Sequence, residues 1–176
     1  MPIAGKLIAL EGGEGAGKST QLARLAERLE AGGSRVLRLR EPGGTPLGET
    51  MRDVLKRPGS VIAPEAEALL FAACRAQLVA EVIAPALAAG AVVLCDRFID
   101  STVAYQSGGR GLERAAIEAA NRLACGPLRP HLTFLLDLDP SRGLGRASLR
   151  DHGRSDRFEA LGEEFHRRVR ASYHAL

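Results

Sequence analysis

The chain has 176 residues, 45% hydrophobic and 26% charged, a composition that suits one compact domain and excludes a disordered or low-complexity polymer. Its net charge is +3, and only Lys6, Lys18 and Lys56 among 24 basic residues are lysine. With aromatics at 4% and no Trp, the arginines lack the stacking partners of a nucleic-acid groove, and no nucleic-acid partner is expected. Four nearly continuous apolar runs, Lys6–Leu10, Arg35–Leu39, Ala91–Cys95 and Leu132–Leu138, are predicted as parallel strands buried on both faces. Helical patterns lie between and after them: Lys18–Ala31, a short Glu49–Lys56, a long Glu65–Ala89 bent at Pro85, Leu112–Leu123, Pro140–Arg150 and Glu159–Tyr173. This alternation predicts a three-layer α/β/α fold, a parallel sheet with helices on both faces, in a single domain over residues 1–176. No uninterrupted apolar run approaches the ~18 residues of a membrane span, so no membrane partner is expected. Cys74, Cys95 and Cys125 form no CxxC pair and fit a reducing cytoplasm, and the four histidines lack zinc-ligand spacing.

The segment Gly12-Gly13-Glu14-Gly15-Ala16-Gly17-Lys18-Ser19, followed by Thr20, sits between the first strand and the first helix. It matches G-x-x-x-x-G-K-[ST] in the context that motif requires, a P-loop. Glycines let the loop curl until successive N–H groups face phosphate oxygens, and the helix adds its positive end. Lys18 reaches the β- and γ-phosphates of ATP, and the Ser19 hydroxyl suits Mg²⁺. Asp96, an acid at the carboxyl end of the third strand, suits the water shell of the same ion. Arg97 follows it directly and places a cation toward the γ-phosphate, where a second anion can be held.

A P-loop does not name a reaction, and the remaining motifs narrow the choice. Arg40-Glu41-Pro42-Gly43-Gly44-Thr45 follows the second strand, Ser101-Thr102-Val103-Ala104-Tyr105-Gln106-Ser107-Gly108-Gly109-Arg110-Gly111 follows the third, and Phe71 and Arg75 share a helix face one turn apart. With the P-loop and Asp96-Arg97-Phe98, these resemble the thymidylate kinase family from about Ile8 to about Arg157. The resemblance implies transfer of the γ-phosphoryl group of ATP to dTMP, giving dTDP and ADP, with Mg²⁺, in a cytoplasmic homodimer. It implies that Phe71 stacks on thymine, Arg75 bonds its exocyclic oxygen, Thr102 and Gln106 contact the base, and Pro42 packs against it. Tyr105 then sits near the sugar, Arg52 and Arg97 grip the monophosphate with help from Ser101, and Glu14 faces the acceptor nucleotide. The family continues past this point with another strand and helix, which this sequence does not show.

The acceptor phosphate, with a second pKa of ~6, is already a nucleophile near neutrality, so no general base is assigned. Arg142, Arg146, Arg150, Arg154 and Arg157 mark a lid over about 142–157. Some family members carry an arginine inside the P-loop; Gly15 stands there in this chain, which passes the role of arginine finger to Arg150 or Arg154, with Arg146 assisting. The alternatives are another nucleoside monophosphate kinase and a DNA-binding P-loop ATPase.

Overall fold

Residues 5–150 and 155–176 are described by the structure, a computed structural model of the chain. Strands β1 (Lys6–Glu11), β2 (Val36–Arg40), β3 (Val92–Asp96) and β4 (Leu132–Leu135) form one parallel sheet in the order β2-β3-β1-β4. Side chains alternate across a strand. Leu7, Ala9, Val93 and Cys95 therefore form one apolar layer with Leu78 and Ala124, while Leu10 and Leu94 form the other with Leu22 and Ala26. The first layer is covered by α3 (Pro64–Leu78) and α6 (Arg114–Cys125), the second by α1 (Lys18–Ala31). This is the expected α/β/α sandwich. Pairing of Leu10 with Asp96 and of Glu11 with Leu135 aligns the carboxyl ends of β3, β1 and β4, where the P-loop leaves the sheet.

Three elements depart from the sequence expectation. The fourth strand stops at Leu135 instead of Leu138, and all four of its residues are exposed, not buried on both faces. It pairs with β1 on one side and forms an edge among the described residues, so the core is not closed around it. The long helix is not broken by Pro85 alone. Val79–Ile83 adopts a π-helical turn in which the Ala84 N–H bonds to Val79 O, and α4 (Ala84–Ala88) then starts with Pro85 in its first turn, where a missing N–H costs least. The combined helix, Pro64–Ala88, is long and apolar enough by length and composition to cross a membrane, a class the run count had excluded. In this fold it is instead a core layer, with Leu78 and Ile83 fully buried and with Glu67 and Arg75 buried in ion pairs. A third segment was not predicted as helical at all: α5 (Ile99–Thr102) runs into a π-helical stretch, Val103–Gly109.

That π stretch is packed by the last helix, α8 (Gly162–His174). The close approach depends on glycine, because a Cβ at Gly109 would lie 2.6 Å from the Phe165 ring. Leu55, Tyr105, Phe158, Phe165, Val169 and Tyr173 make a separate apolar cluster there, a second floor under the functional cleft. The remaining helices are α2 (Pro46–Lys56), whose Thr45 cap accepts the Gly48 N–H at 3.0 Å, and α7 (Pro140–Arg150), which leads into the lid region. Residues 151–154, and with them the expected finger Arg154, lie outside the described residues.

Candidate active site

The carboxyl ends of the strands open into a cavity of about 920 Å³. Every predicted site residue within the described chain lines it except Gly12 and Gly13, which face a small pocket behind the loop. Along the P-loop wall, Lys18 Nζ donates to Gly12 O at 3.0 Å and Gly13 O at 2.7 Å, so the lysine is folded back onto its own loop. Burial and the neighbouring Arg97 charge disfavour the ammonium and push its pKa down to about 8. Ser19 Oγ donates to Asp96 Oδ2 at 2.5 Å. A hydroxyl and a carboxylate in contact beside a phosphate loop form the hard-oxygen donor set that suits Mg²⁺.

Arg97 is the hub. It is held in the left-handed region at φ 72°, a costly conformation for a non-glycine residue. Its N–H bonds to Leu10 O, and the next N–H, of Phe98, is taken by Glu11 Oε1 at 2.8 Å, so both ends of the strained residue are pinned. Its guanidinium bonds Gly12 O, Ser101 Oγ, Tyr173 OH, Glu14 Oε1 and Tyr105 OH at 2.7–3.3 Å. Burial disfavours a charge on Glu14, yet the cations Arg97, Lys18 and Lys56 hold its carboxyl down to about 2. An ionised Glu14 therefore occupies the very guanidinium that the acceptor phosphate is expected to engage. Glu11 also takes the Ser101 hydroxyl at 2.5 Å and the Tyr173 hydroxyl at 3.1 Å.

Phe71 lines the cavity and packs against Phe158 with ring centroids 5.8 Å apart. Arg75 is more committed than its predicted role suggests. Its Nε and Nη2 reach Glu41 Oε2 at 2.8 and 2.6 Å, Nη2 reaches Phe98 O, and Nη1 reaches Asn121 Oδ1. Three of the five N–H groups of a guanidinium are spent in hydrogen bonds this way, and the ion pair with Glu41 holds Nη2 further, so few donors remain for a ligand. Thr102 Oγ1 and Glu41 Oε1 are buried with no partner among the described residues, and both residues line the cavity. Buried orphan acceptors and donors are costly unless something polar arrives to meet them. Arg52 donates to Pro42 O at 2.8 Å, fixing the two together across the cleft mouth. On the lid side, Arg146 and Arg150 line the cavity, and Arg150 Nη2 donates to Glu159 at 3.1 Å. Arg157, grouped with the lid arginines by sequence, is instead a buried anchor: its Nε donates to Leu55 O at 2.7 Å and its Nη2 pairs with Glu67.

Sequence reasoning quoted Glu41 within a motif but gave it no role, and missed Glu11, Glu67, Asn121 and Tyr173. Among these four only Glu11, an acid ending a buried strand, carried a signal that could have found it.

The chain matches the thymidylate kinase family over residues 10–176. The chain belongs to this family. It is 56% identical to the thymidylate kinase of Pseudomonas fluorescens (strain Pf0-1) over 172 residues, covering 97% of this chain and 81% of that one. To the thymidylate kinase of Deinococcus radiodurans it is 53% identical over 169 residues, 96% of this chain and 81% of the relative. The crystal structure of thymidylate kinase from Ehrlichia chaffeensis superposes with a TM-score of 0.79 at 34% identity, over 98% of this chain and 86% of that one. An ATP-dependent dTMP kinase activity follows from this membership, in preference to the other kinases and to the DNA-bound ATPase weighed from sequence.

Proposed function

We propose that this single cleft holds ATP and dTMP with their phosphates facing each other, and that catalysis is positioning plus charge neutralisation. Lys18 leaves the Gly12 and Gly13 carbonyls for the β- and γ-phosphates, and the loop N–H groups from Gly13 to Thr20 cradle them. Ser19 and Asp96 are the residues that would hold Mg²⁺, which when bound supplies Lewis-acid neutralisation of the phosphate charge. Arg97 and Arg52, with Ser101, hold the acceptor phosphate, so Glu14 must yield its place on Arg97 when dTMP enters. The freed carboxylate then faces the sugar beside Tyr105. Phe71 and Pro42 enclose the base, while Thr102, Gln106 and a remaining N–H of Arg75 address its polar edge. Arg150 or Arg154 closes over the transferring group, with Arg146 assisting. Two like charges 4 Å apart repel by about 4 kcal/mol at an effective dielectric of 20, so an array of fixed cations is required to bring two phosphates into line.

The observation that carries this reading is the convergence of Lys18, Arg52, Arg97, Phe71 and Arg75 on one cavity of about 920 Å³. We also propose a homodimer, supported by the strongly exposed Leu69 and Leu123 on the packed helices α3 and α6, and a cytoplasmic location, supported by three buried, unlinked cysteines. A coupled assay with ATP and Mg²⁺ against dTMP, dUMP, AMP and UMP tests the site. The expected outcome is the highest kcat/KM for dTMP; a preference for AMP would overturn the pocket assignment.

A further inference from the structure

Glu67 lies on α3, fully buried, and does not line the cavity. A carboxylate in that position must be paired to exist at all. It accepts from Arg110 Nε at 3.1 Å and Nη2 at 2.7 Å, pairs with Arg157 Nη2 at 2.7 Å, and accepts from Gln106 Nε2 at 2.7 Å. Burial works against the charge, but these donors together draw the carboxyl below the ordinary glutamate range. Glu67 is therefore acceptor-only.

Gln106, the third partner, does line the cavity. An amide has a donor end and an acceptor end of nearly the same shape, and a free one serves either kind of ligand by turning over. Next to an acceptor-only neighbour just one orientation is tolerated: the NH2 group goes to Glu67 and the carbonyl is left for the cavity. A carbonyl accepts from the N3–H of thymine or uracil. It meets the N3 lone pair of cytosine as an acceptor facing an acceptor, and such an unpaired buried contact is penalised.

We propose that Glu67 is a positioning residue that locks the Gln106 amide and thereby sets the preference for a pyrimidine protonated at N3. Its charge is secured from two distant parts of the chain, Arg110 after the π-helical stretch and Arg157 after the lid, so base reading is wired to both. The inference rests on the proposed placement of the base beside Gln106.

The test compares kcat and KM for dTMP and dCMP in the wild type, Glu67→Gln, Glu67→Asp, Gln106→Leu and the Glu67→Gln/Gln106→Leu double variant, with Tm recorded for each. Glu67→Gln offers a donor or an acceptor and releases the amide. The dTMP-to-dCMP ratio of kcat/KM is expected to fall about tenfold or more, carried by KM for dTMP more than by kcat. In the Gln106→Leu background the same change adds less than about twofold, since the lock has nothing left to hold. Glu67→Asp keeps the charge for both arginines but withdraws the carboxylate by one methylene, and its ratio falls about threefold or more in a protein of nearly wild-type Tm. Wild-type discrimination in the folded Glu67 variants, while Gln106→Leu loses it, overturns the lock and leaves the site assignment standing. Unchanged discrimination in Gln106→Leu as well overturns both.

Discussion

Lys18 sits in the cleft with an ammonium that burial disfavours and two loop carbonyls that accept its hydrogen bonds. Its pKa of about 8, lowered from 10.5, fixes the sign of two pH effects. Between these values the unfolded chain binds more protons than the folded one, so this residue makes the folded state gain stability as pH rises from about 8 toward 10.5. Ligand binding runs the other way, because ATP needs the charged form. Raising the pH from 8 to 9 is expected to weaken ATP binding by about fivefold in the wild type, measured by calorimetric titration. In Lys18→Met that dependence is absent and kcat is lower by about 10²–10³. At the same scale, Arg75 shows why a residue's identity does not disclose how much of it is left for a ligand. Its place on the cavity-lining face of α3 was legible from its spacing with Phe71, but Glu41 and Asn121, which absorb most of its donors, come from 34 and 46 residues away.

At the scale of elements, the cleft wall depends on α8 lying close against the π-helical stretch Val103–Gly109. Gly108 and Gly109 both make that approach, with Ser172 2.4 Å and the Phe165 ring 2.6 Å from any added Cβ. Gly109→Ala is expected to lower stability by about 1–3 kcal/mol in urea unfolding, because the ring is confined by Tyr105 and cannot swing clear. The same displacement moves Tyr173 away from Glu11, Ser101 and Arg97, so kcat/KM for dTMP falls with it. The central strands and α1 were legible within a residue or two because their apolar periods are strong and their ends are marked by glycine and the P-loop. The π turns were not. They fall where a helix meets a constraint, just before Pro85 in one case and against α8 in the other, and composition has no period for that. The fourth strand was overread for a related reason: a run of leucines signals burial whether or not a neighbour exists to supply it.

For the whole molecule, the ion pairs tie segments that share no local sequence. Arg157 joins the residues after the lid to the end of α2 and to α3, and Arg97 joins the P-loop to α8. A ligand that engages this set stabilises every segment at once. dTMP at a hundredfold excess over its Kd is expected to add about 2.7 kcal/mol, a rise in Tm of about 5–10 °C by scanning calorimetry. The backbone itself decides one further matter. At Gly15, φ is +63° and a Cβ would lie 2.1 Å from Gly143 O, at the start of α7. No arginine can be grafted into the loop at that position while α7 departs along its present path. Exchanging a loop-borne finger for a lid-borne one is, in this architecture, a rerouting of the main chain, and a single codon change cannot accomplish it.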